Sequence, residues 1–323
     1  MPTVRAAAKM GSMQPVVTPA EMAAIDAAAP EPVEELIERA GAAVARAAIE
    51  MLGGTYGRQV VVVAGKGNNG NDGRAAARRL ERRGIRCVVI EAGSTGDPNS
   101  ARQSAENGGL AHHIRRGGVD LLIDAAYGTG FRGTFDPPDL EGAHVPVLAV
   151  DIPSGISGVT GVASGRPWHA ARTVTFGALK PGLLLGDGPE HAGEINVADI
   201  GLDCSSARAH LVDGADVYRW LPTRARDTHK WRAAAWVVAG SEGMAGAAHL
   251  CTRAAQRAGA GYVRLSTPGS AHDRFAPTEA VVVGLPARGW ADVVLRDLDR
   301  FGALAVGPGL GTAAHDAEQV RRL

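Results

Sequence analysis

Four glycine-bearing segments hold the side chains best able to do chemistry. The first is Gly65-Lys66-Gly67-Asn68-Asn69-Gly70-Asn71-Asp72-Gly73. Gly65, Gly67 and Gly70 spell GxGxxG after an apolar run, and Glu91 follows at the distance of a ribose-binding acid. This pattern predicts a nucleotide-related ligand, a plain strand–helix turn being the alternative. A hydride-transferring dinucleotide fold needs only backbone N–H groups against a pyrophosphate. Here Asn68, Asn69, Asn71 and Asp72 crowd the loop with side-chain donors and acceptors. That composition points to direct reading of a polar ligand, with or without a bound ion.

The second segment starts at Asp124, which ends the run Leu121-Leu122-Ile123. It continues into Gly128-Thr129-Gly130-Phe131-Arg132-Gly133-Thr134, a flexible loop whose N–H groups suit a phosphate. In the third, Asp151 ends the apolar run 147–150 and precedes Ile152-Pro153-Ser154-Gly155. Open α/β sheets bind ligands at the carboxyl ends of their strands. Asn69, Asp124 and Ser154 thus come from three strand ends that a parallel sheet brings to one rim. Their oxygens suit a monovalent cation, and two nearby carboxylates need charge compensation. Taken singly, Asp124 reads equally well as a cap on the loop backbone. A carboxylate on such a rim can serve as general acid or base. In the fourth segment, residues 173–182, Lys180 is either an anion ligand or a surface residue of a turn, and the turn is the preferred reading.

Positioning these residues requires strands that alternate with helices. Apolar spacing predicts two helices over residues 21–51, with Thr18 capping the first and Pro32 opening the second. Residues 59–64 read as a central parallel strand, because they are unbroken and β-branched. A helix over 73–83, a strand over 87–91, a helix near 99–108 and a short strand near 111–114 follow. Further strands are expected at 120–124 and 147–151, and short ones at 173–176, 194–198 and 210–212 form a sheet edge or small extension. Residues 221–232 read as a linker. A second α/β pattern then has strands at 235–239, 262–266, 280–284 and 303–306, a helix at 244–258 and another from about 312. Crossover connections make both sheets parallel. Residues 1–17 are expected to be a disordered lead-in.

Composition narrows the class. The chain has 323 residues, with 34 Lys+Arg against 34 Asp+Glu. A balanced charge argues against nucleic acid or an anionic membrane as partner, and no apolar run approaches a membrane span. Cys87, Cys204 and Cys251 are widely spaced and odd in number, which argues against a disulfide framework or zinc site. The start carries no secretory apolar region, so cytoplasmic placement is expected. Basic residues are nearly all Arg: the only lysines are Lys9, Lys66, Lys180 and Lys230. A lysine in this chain therefore stands out.

The strings AGKGNNGNDG, LLIDAAYGTGFRG, AVDIPSG and TVTFGALKPG, in this order, together resemble the NAD(P)H-hydrate epimerase family, over residues 18–222. The resemblance implies a Rossmann-like three-layer α/β/α domain and an isomerase that interconverts the R and S forms of hydrated NADH and NADPH (NADHX and NADPHX). It implies substrate contacts from Asn68, Asn69, Gly70, Asn71, Asp72, Gly128, Thr129, Gly130, Phe131, Arg132, Gly133, Thr134 and Asp151. Asp151 is the residue expected to handle a proton. It implies potassium ligands at Asn69, Asp124 and Ser154. Asn71 stands where the family carries a second Gly, and Asn tolerates left-handed angles better than most residues.

Residues 223–323 resemble the start of a ribokinase-like, ADP-dependent NAD(P)H-hydrate dehydratase. The carriers are His229-Lys230, the string VVAGSEGMAGAAHLCTRAAQRAGAGYVRLSTP and AVGPGLG. Trp231 stands where a Gly usually follows the HK pair, and the later GSGD-type loop is absent. ADP use and lyase activity are therefore expected only of a complete form, with Gly309 in a partial site; a plain loop before the last helix is the preferred reading of Gly307, Gly309 and Gly311. Two rival functions are an NAD(P)-dependent Rossmann oxidoreductase and a non-catalytic nucleotide-binding protein. A homo-oligomer is a possible assembly.

Overall fold

The computed structural model describes residues 4–6, 13–92, 110, 118–138, 140, 145–221, 223–270, 276–277 and 279–323. The chain divides into two compact units, Met1–Leu221 and Pro222–Leu323. The expected helix near 99–108 and strand near 111–114 lie outside the described residues.

The first unit is built on a seven-stranded sheet. Its strands are β1 (Val4–Ala6), β3 (Gln59–Ala64), β4 (Arg86–Glu91), β5 (Leu121–Ala125), β6 (Val147–Val150), β7 (Arg172–Phe176) and β8 (Glu194–Ala198), in the spatial order β1-β8-β7-β6-β5-β3-β4. Every pairing is parallel. The strands β7 and β8 lie inside this sheet, and β1 closes the edge beyond β8. Val60, Val61 and Val62 are fully buried, because β3 is covered on both faces.

On one face the helices α1 (Pro19–Ala28), α2 (Val33–Leu52) and α3 (Asn68–Glu81) follow the chain. Val44, Ala48, Ala76 and Leu80 from α2 and α3 share a core with Val60, Leu121 and Leu148. The small residues let the helices approach closely: a Cβ on Gly41 of α2 would lie 2.5 Å from the Ala75 Cβ of α3. The opposite face packs Leu110, Phe135 and Trp168 against Val61, Leu122 and Ala149. A capping box starts α1: the Glu21 N–H donates to Thr18 Oγ1 and the Thr18 N–H to Glu21 Oε2.

Two expectations need correction. The described residues of the expected disordered lead-in, 4–6 and 13–17, are ordered: β1 (Val4–Ala6) pairs with β8. Here β2 (Gln14–Val16) pairs antiparallel with β9 (Ala209–Leu211), Val17 is fully buried, and backbone hydrogen bonds join Pro15 and Val17 to Leu179. Two adjacent valines give no periodic signal, but backbone pairing orders them. The helix expected over 73–83 begins five residues earlier, at Asn68. Gly70 and Gly73 lie inside α3 because the helix presses on its surroundings: a Cβ on Gly73 would sit 2.5 Å from the Ala125 Cβ.

In the second unit, β10 (Ala234–Val238), β11 (Tyr262–Ser266), β12 (Val281–Val282) and β13 (Ala303–Val306) form a parallel sheet ordered β12-β11-β10-β13. Trp236 and Trp290 are fully buried in its core. Helix Ala245–Arg257 follows β10, and helix Ala314–Arg322 follows β13.

Candidate active site

Strand order reverses at β3. The chain passes from β3 to β4 on one side and returns to β5 on the other, which opens a crevice at the carboxyl ends. A cavity of about 650 Å³ lies there. Its wall includes Gly65–Asn69 and Asp72 after β3, Ala126–Phe131 after β5, Asp151 after β6, and Lys180. Met22, Asp26, Leu36, Ile37, Phe176, Ile200 and Leu202 complete it with a largely apolar lobe. The size is that of an ordinary small-molecule site.

The glycines of the first loop do two different things. A Cβ on Gly65 would meet the Ala126 carbonyl oxygen at 1.9 Å, and one on Gly70 the Gly65 carbonyl oxygen at 1.8 Å. Those two are required by packing. Gly67 has nothing within 4 Å of such a Cβ, precedes the first residue of α3 and lacks a side-chain cap. The N–H groups of the first turn of α3 are thus left for a ligand. Glu91 does not line the cavity; it is exposed and accepts a hydrogen bond from Arg74, whose other nitrogen donates to the Gly65 carbonyl. The acid expected to bind ribose is occupied by structural pairing.

Asp151 is the non-glycine residue with positive φ among the described residues, at 65°. Such strain, overdetermined by its surroundings, is typical of functional sites. Its Oδ1 is 2.6 Å from Lys180 Nζ and accepts from Thr175 Oγ1 at 3.1 Å. The same Nζ donates to Thr175 Oγ1 at 2.8 Å and to the Phe176 carbonyl at 3.0 Å. Lys180 is 1% exposed, so it is not the surface turn residue expected. A buried ammonium needs a charge partner, and Asp151 is that partner.

Asp72 shares the cavity and is buried, with no hydrogen bond to its carboxyl among the described residues. Burial, reinforced by the charges of Asp151 and Asp26 and opposed by Lys180, pushes its carboxyl up to about 8. Asp26, exposed at the mouth, is also raised, first by its partial burial and then by Asp151, against Lys180.

Behind this wall, Asp124 is 1% exposed. It accepts from Ser154 Oγ at 2.6 Å, from the Ser154 N–H at 2.9 Å and from the Ala126 N–H at 3.3 Å. Burial raises its carboxyl and these hydrogen bonds oppose the rise. The Tyr127 N–H donates to Ser154 Oγ. Asn69 lies against Gly128 of the same loop, and both polar atoms of its side chain are buried without a partner. The structure therefore joins Asp124 to Ser154 directly and leaves the Asn69 amide unsatisfied nearby.

Comparisons with known proteins agree on the class. Residues 33–182 match the YjeF-related protein N-terminus family, and residues 235–322 match the NAD(P)H-hydrate dehydratase family. The bifunctional NAD(P)H-hydrate repair enzyme Nnr of Salinibacter ruber is 32% identical over 361 residues, 96% of this chain and 67% of that enzyme. The chain belongs to the NAD(P)H-hydrate repair enzyme family. Enzymes of the same name from Mycobacterium tuberculosis (37% over 269 residues) and Escherichia coli (32% over 306 residues) cover 80% and 86% of this chain. The chain spans 54% and 57% of those two relatives, so it corresponds to between about half and two thirds of a bifunctional repair enzyme.

Within this family member, Asn68, Asn69, Asp72, Gly128, Thr129, Gly130, Phe131 and Asp151 line the cavity. Gly70, Asn71, Arg132, Gly133 and Thr134 do not. Gly70 is buried under the loop, and Arg132, Gly133 and Thr134 are exposed. Asn71 is helical, so no left-handed angle has to be tolerated there. Sequence reasoning missed Thr175 and Asp26, and it misjudged Lys180. The rarity of lysine was the one usable signal.

Proposed function

We propose that the first unit is an NAD(P)H-hydrate epimerase that binds NADHX or NADPHX in this cavity and interconverts their R and S forms. The observation that carries this reading is Asp151, held in a left-handed conformation by Lys180 and Thr175 at the wall of a cavity that also receives the uncapped start of α3. The helix start takes the pyrophosphate on its N–H groups. The apolar lobe accepts a ring of the dinucleotide, and Asp151 moves a proton at the hydroxyl-bearing ring carbon or its hydroxyl. Positioning and acid–base assistance share the work. Arg132, Gly133 and Thr134 contact the part of the ligand that extends past the cavity wall.

The residues present fit a potassium ion. Asp124 is a buried carboxylate without a cationic partner among the described residues, and the Asn69 side-chain oxygen is buried and unsatisfied. Asn69, Asp124 and Ser154 would hold the ion through oxygen, and it would supply positive charge that fixes the surrounding loops. ADP-dependent dehydration belongs to a complete dehydratase domain, of which Pro222–Leu323 contributes the Gly307–Gly311 loop and Gly309. No helix among the described residues is long and apolar enough to cross a membrane; cytoplasmic action on free dinucleotides, without nucleic-acid partners and with a homo-oligomer as one assembly, completes the reading.

The test is chiral separation of NADHX epimers over time, with and without potassium and against a no-enzyme control. Exchange accelerated by the protein, and lost in Asp151→Ala, is the expected result. Undiminished exchange in that variant would remove the role given to Asp151. Oxidation or reduction read at 340 nm with candidate substrates would favour an oxidoreductase instead.

A further inference from the structure

Two of the carboxyl groups that line the cavity, Asp72 and Asp151, are bonded unequally. Asp151 has an ammonium at 2.6 Å and a hydroxyl donor at 3.1 Å. Asp72 has neither among the described residues, and it is only 8% exposed. The charged groups around them come from four segments: Asp26 on α1, Lys66 ahead of α3, Asp151 after β6 and Lys180 after β7. Lys66 is exposed and carries its charge into solvent, which leaves Lys180 as the buried cation for three acids. Lys180 is already committed to Asp151. A buried carboxyl without donor or counter-ion is held as the neutral acid. When two carboxyls in one site have environments that pull them apart, they divide into an acid and a base.

We propose that Asp72 is the proton donor of the epimerisation and that Asp151 is its proton acceptor. The inference rests on the epimerase reading and assigns the acid that reading lacks. The Asp72 carboxylic acid gives its proton to the substrate hydroxyl as the carbon–oxygen bond breaks. The lone pair of the ring nitrogen forms the carbon–nitrogen double bond, and water leaves. Water then adds to the opposite face, the double-bond electrons return to nitrogen, and the Asp151 carboxylate takes the proton from that water. Exchange with solvent moves one proton from Asp151 back to Asp72. No oxidant or reductant is needed, and one water leaves and one adds. The displacement of the Asp72 carboxyl to about 8 agrees with a group that still carries its proton at neutral pH.

The experiment uses the full chain, NADHX of one configuration, potassium and a subtracted no-enzyme rate. In Asp72→Asn, kcat is expected to fall by about 100-fold or more, the size of a lost general acid, while KM changes by less than about threefold. A rate equal to wild type, or a change in KM alone, would overturn the proposal. The wild-type pH profile guards against a variant that fails to fold. Its kcat is expected to fall above about pH 8, tenfold per pH unit; a profile flat from pH 7 to 10 would overturn the assignment. Wild-type protein that exchanges no faster than the control would overturn the epimerase reading itself, and is told apart by that single arm.

Discussion

Both units place a glycine-bearing loop where strand order reverses, yet the two loops are bonded in opposite ways. After β10, the Gly240 N–H donates to the Pro308 carbonyl, Ser241 Oγ donates to the Gly309 carbonyl, and the Met244 N–H donates to the Ser241 carbonyl. Those polar groups satisfy one another across the gap between β10 and β13. After β3 and β5, by contrast, both polar atoms of the Asn69 side chain are buried without a partner, the Asp72 carboxyl makes no hydrogen bond among the described residues, and α3 starts without a side-chain cap. Topology sets where a ligand can bind in both units. Of these two loops the unsatisfied Asn69 side chain singles out the first, because a buried polar atom left unpaired costs stability unless something completes it.

The contrast can be broken most forcefully at Lys180. Lys180→Met leaves Asp151 without its ion-pair partner and three acids without a buried cation; a loss of about 3–5 kcal/mol is expected from urea unfolding of the full chain. Next in size is Asp72. In the unfolded chain its carboxyl ionises near the usual value of 3.8, but in the folded chain it holds its proton to about 8. Wild type therefore loses stability as pH rises between those two values, and Asp72→Asn does not. Asp72→Asn should gain on wild type by roughly 3 kcal/mol from pH 4 to pH 8, about half the full linkage value because a buried carboxylate relaxes toward water. Thermal melts at a series of pH values measure the gap, and a gap independent of pH would contradict the burial argument.

Gly70→Ala forces a Cβ into the Gly65 carbonyl and is expected to cost about 1–3 kcal/mol. Gly67→Ala meets nothing within 4 Å, so its melting point should hold within error while dinucleotide affinity drops. The smallest effect belongs to the second unit. Ser241→Ala removes one hydrogen bond to Gly309 and should cost about 0.5–1.5 kcal/mol, with no change in epimer exchange.

Much of the site was legible in residue order. The β-branched run of β3 and the aspartates next to the ends of β5 and β6 mark strands and their carboxyl ends without reference to any tertiary contact. Asp72 was legible as a polar loop residue but not as a buried one, since burial follows from α3 starting at Asn68 and packing Gly73 on Ala125. Lys180 misled because Gly177 and Pro181 around it resemble a surface turn. Its burial is imposed by Val17 and Leu179, whose backbones pair across a separation that local pattern does not carry. Glu91 sits at the right spacing for ribose, yet Arg74 claims it. Spacing along the chain predicts neighbourhood and is silent about competition for a partner.

The left-handed backbone at Asp151 decides which replacements are fair controls. Alanine there removes the carboxylate but keeps the Cβ that the left-handed angle disfavours by about 1–2 kcal/mol. Glycine removes the carboxylate and relieves the backbone, so Asp151→Gly should outlast Asp151→Ala on heating while being equally inactive. Asparagine keeps the shape and tolerates the angle. All three replacements strip the buried Lys180 ammonium of its partner, so each should melt below wild type, and only the differences among them report the backbone angle.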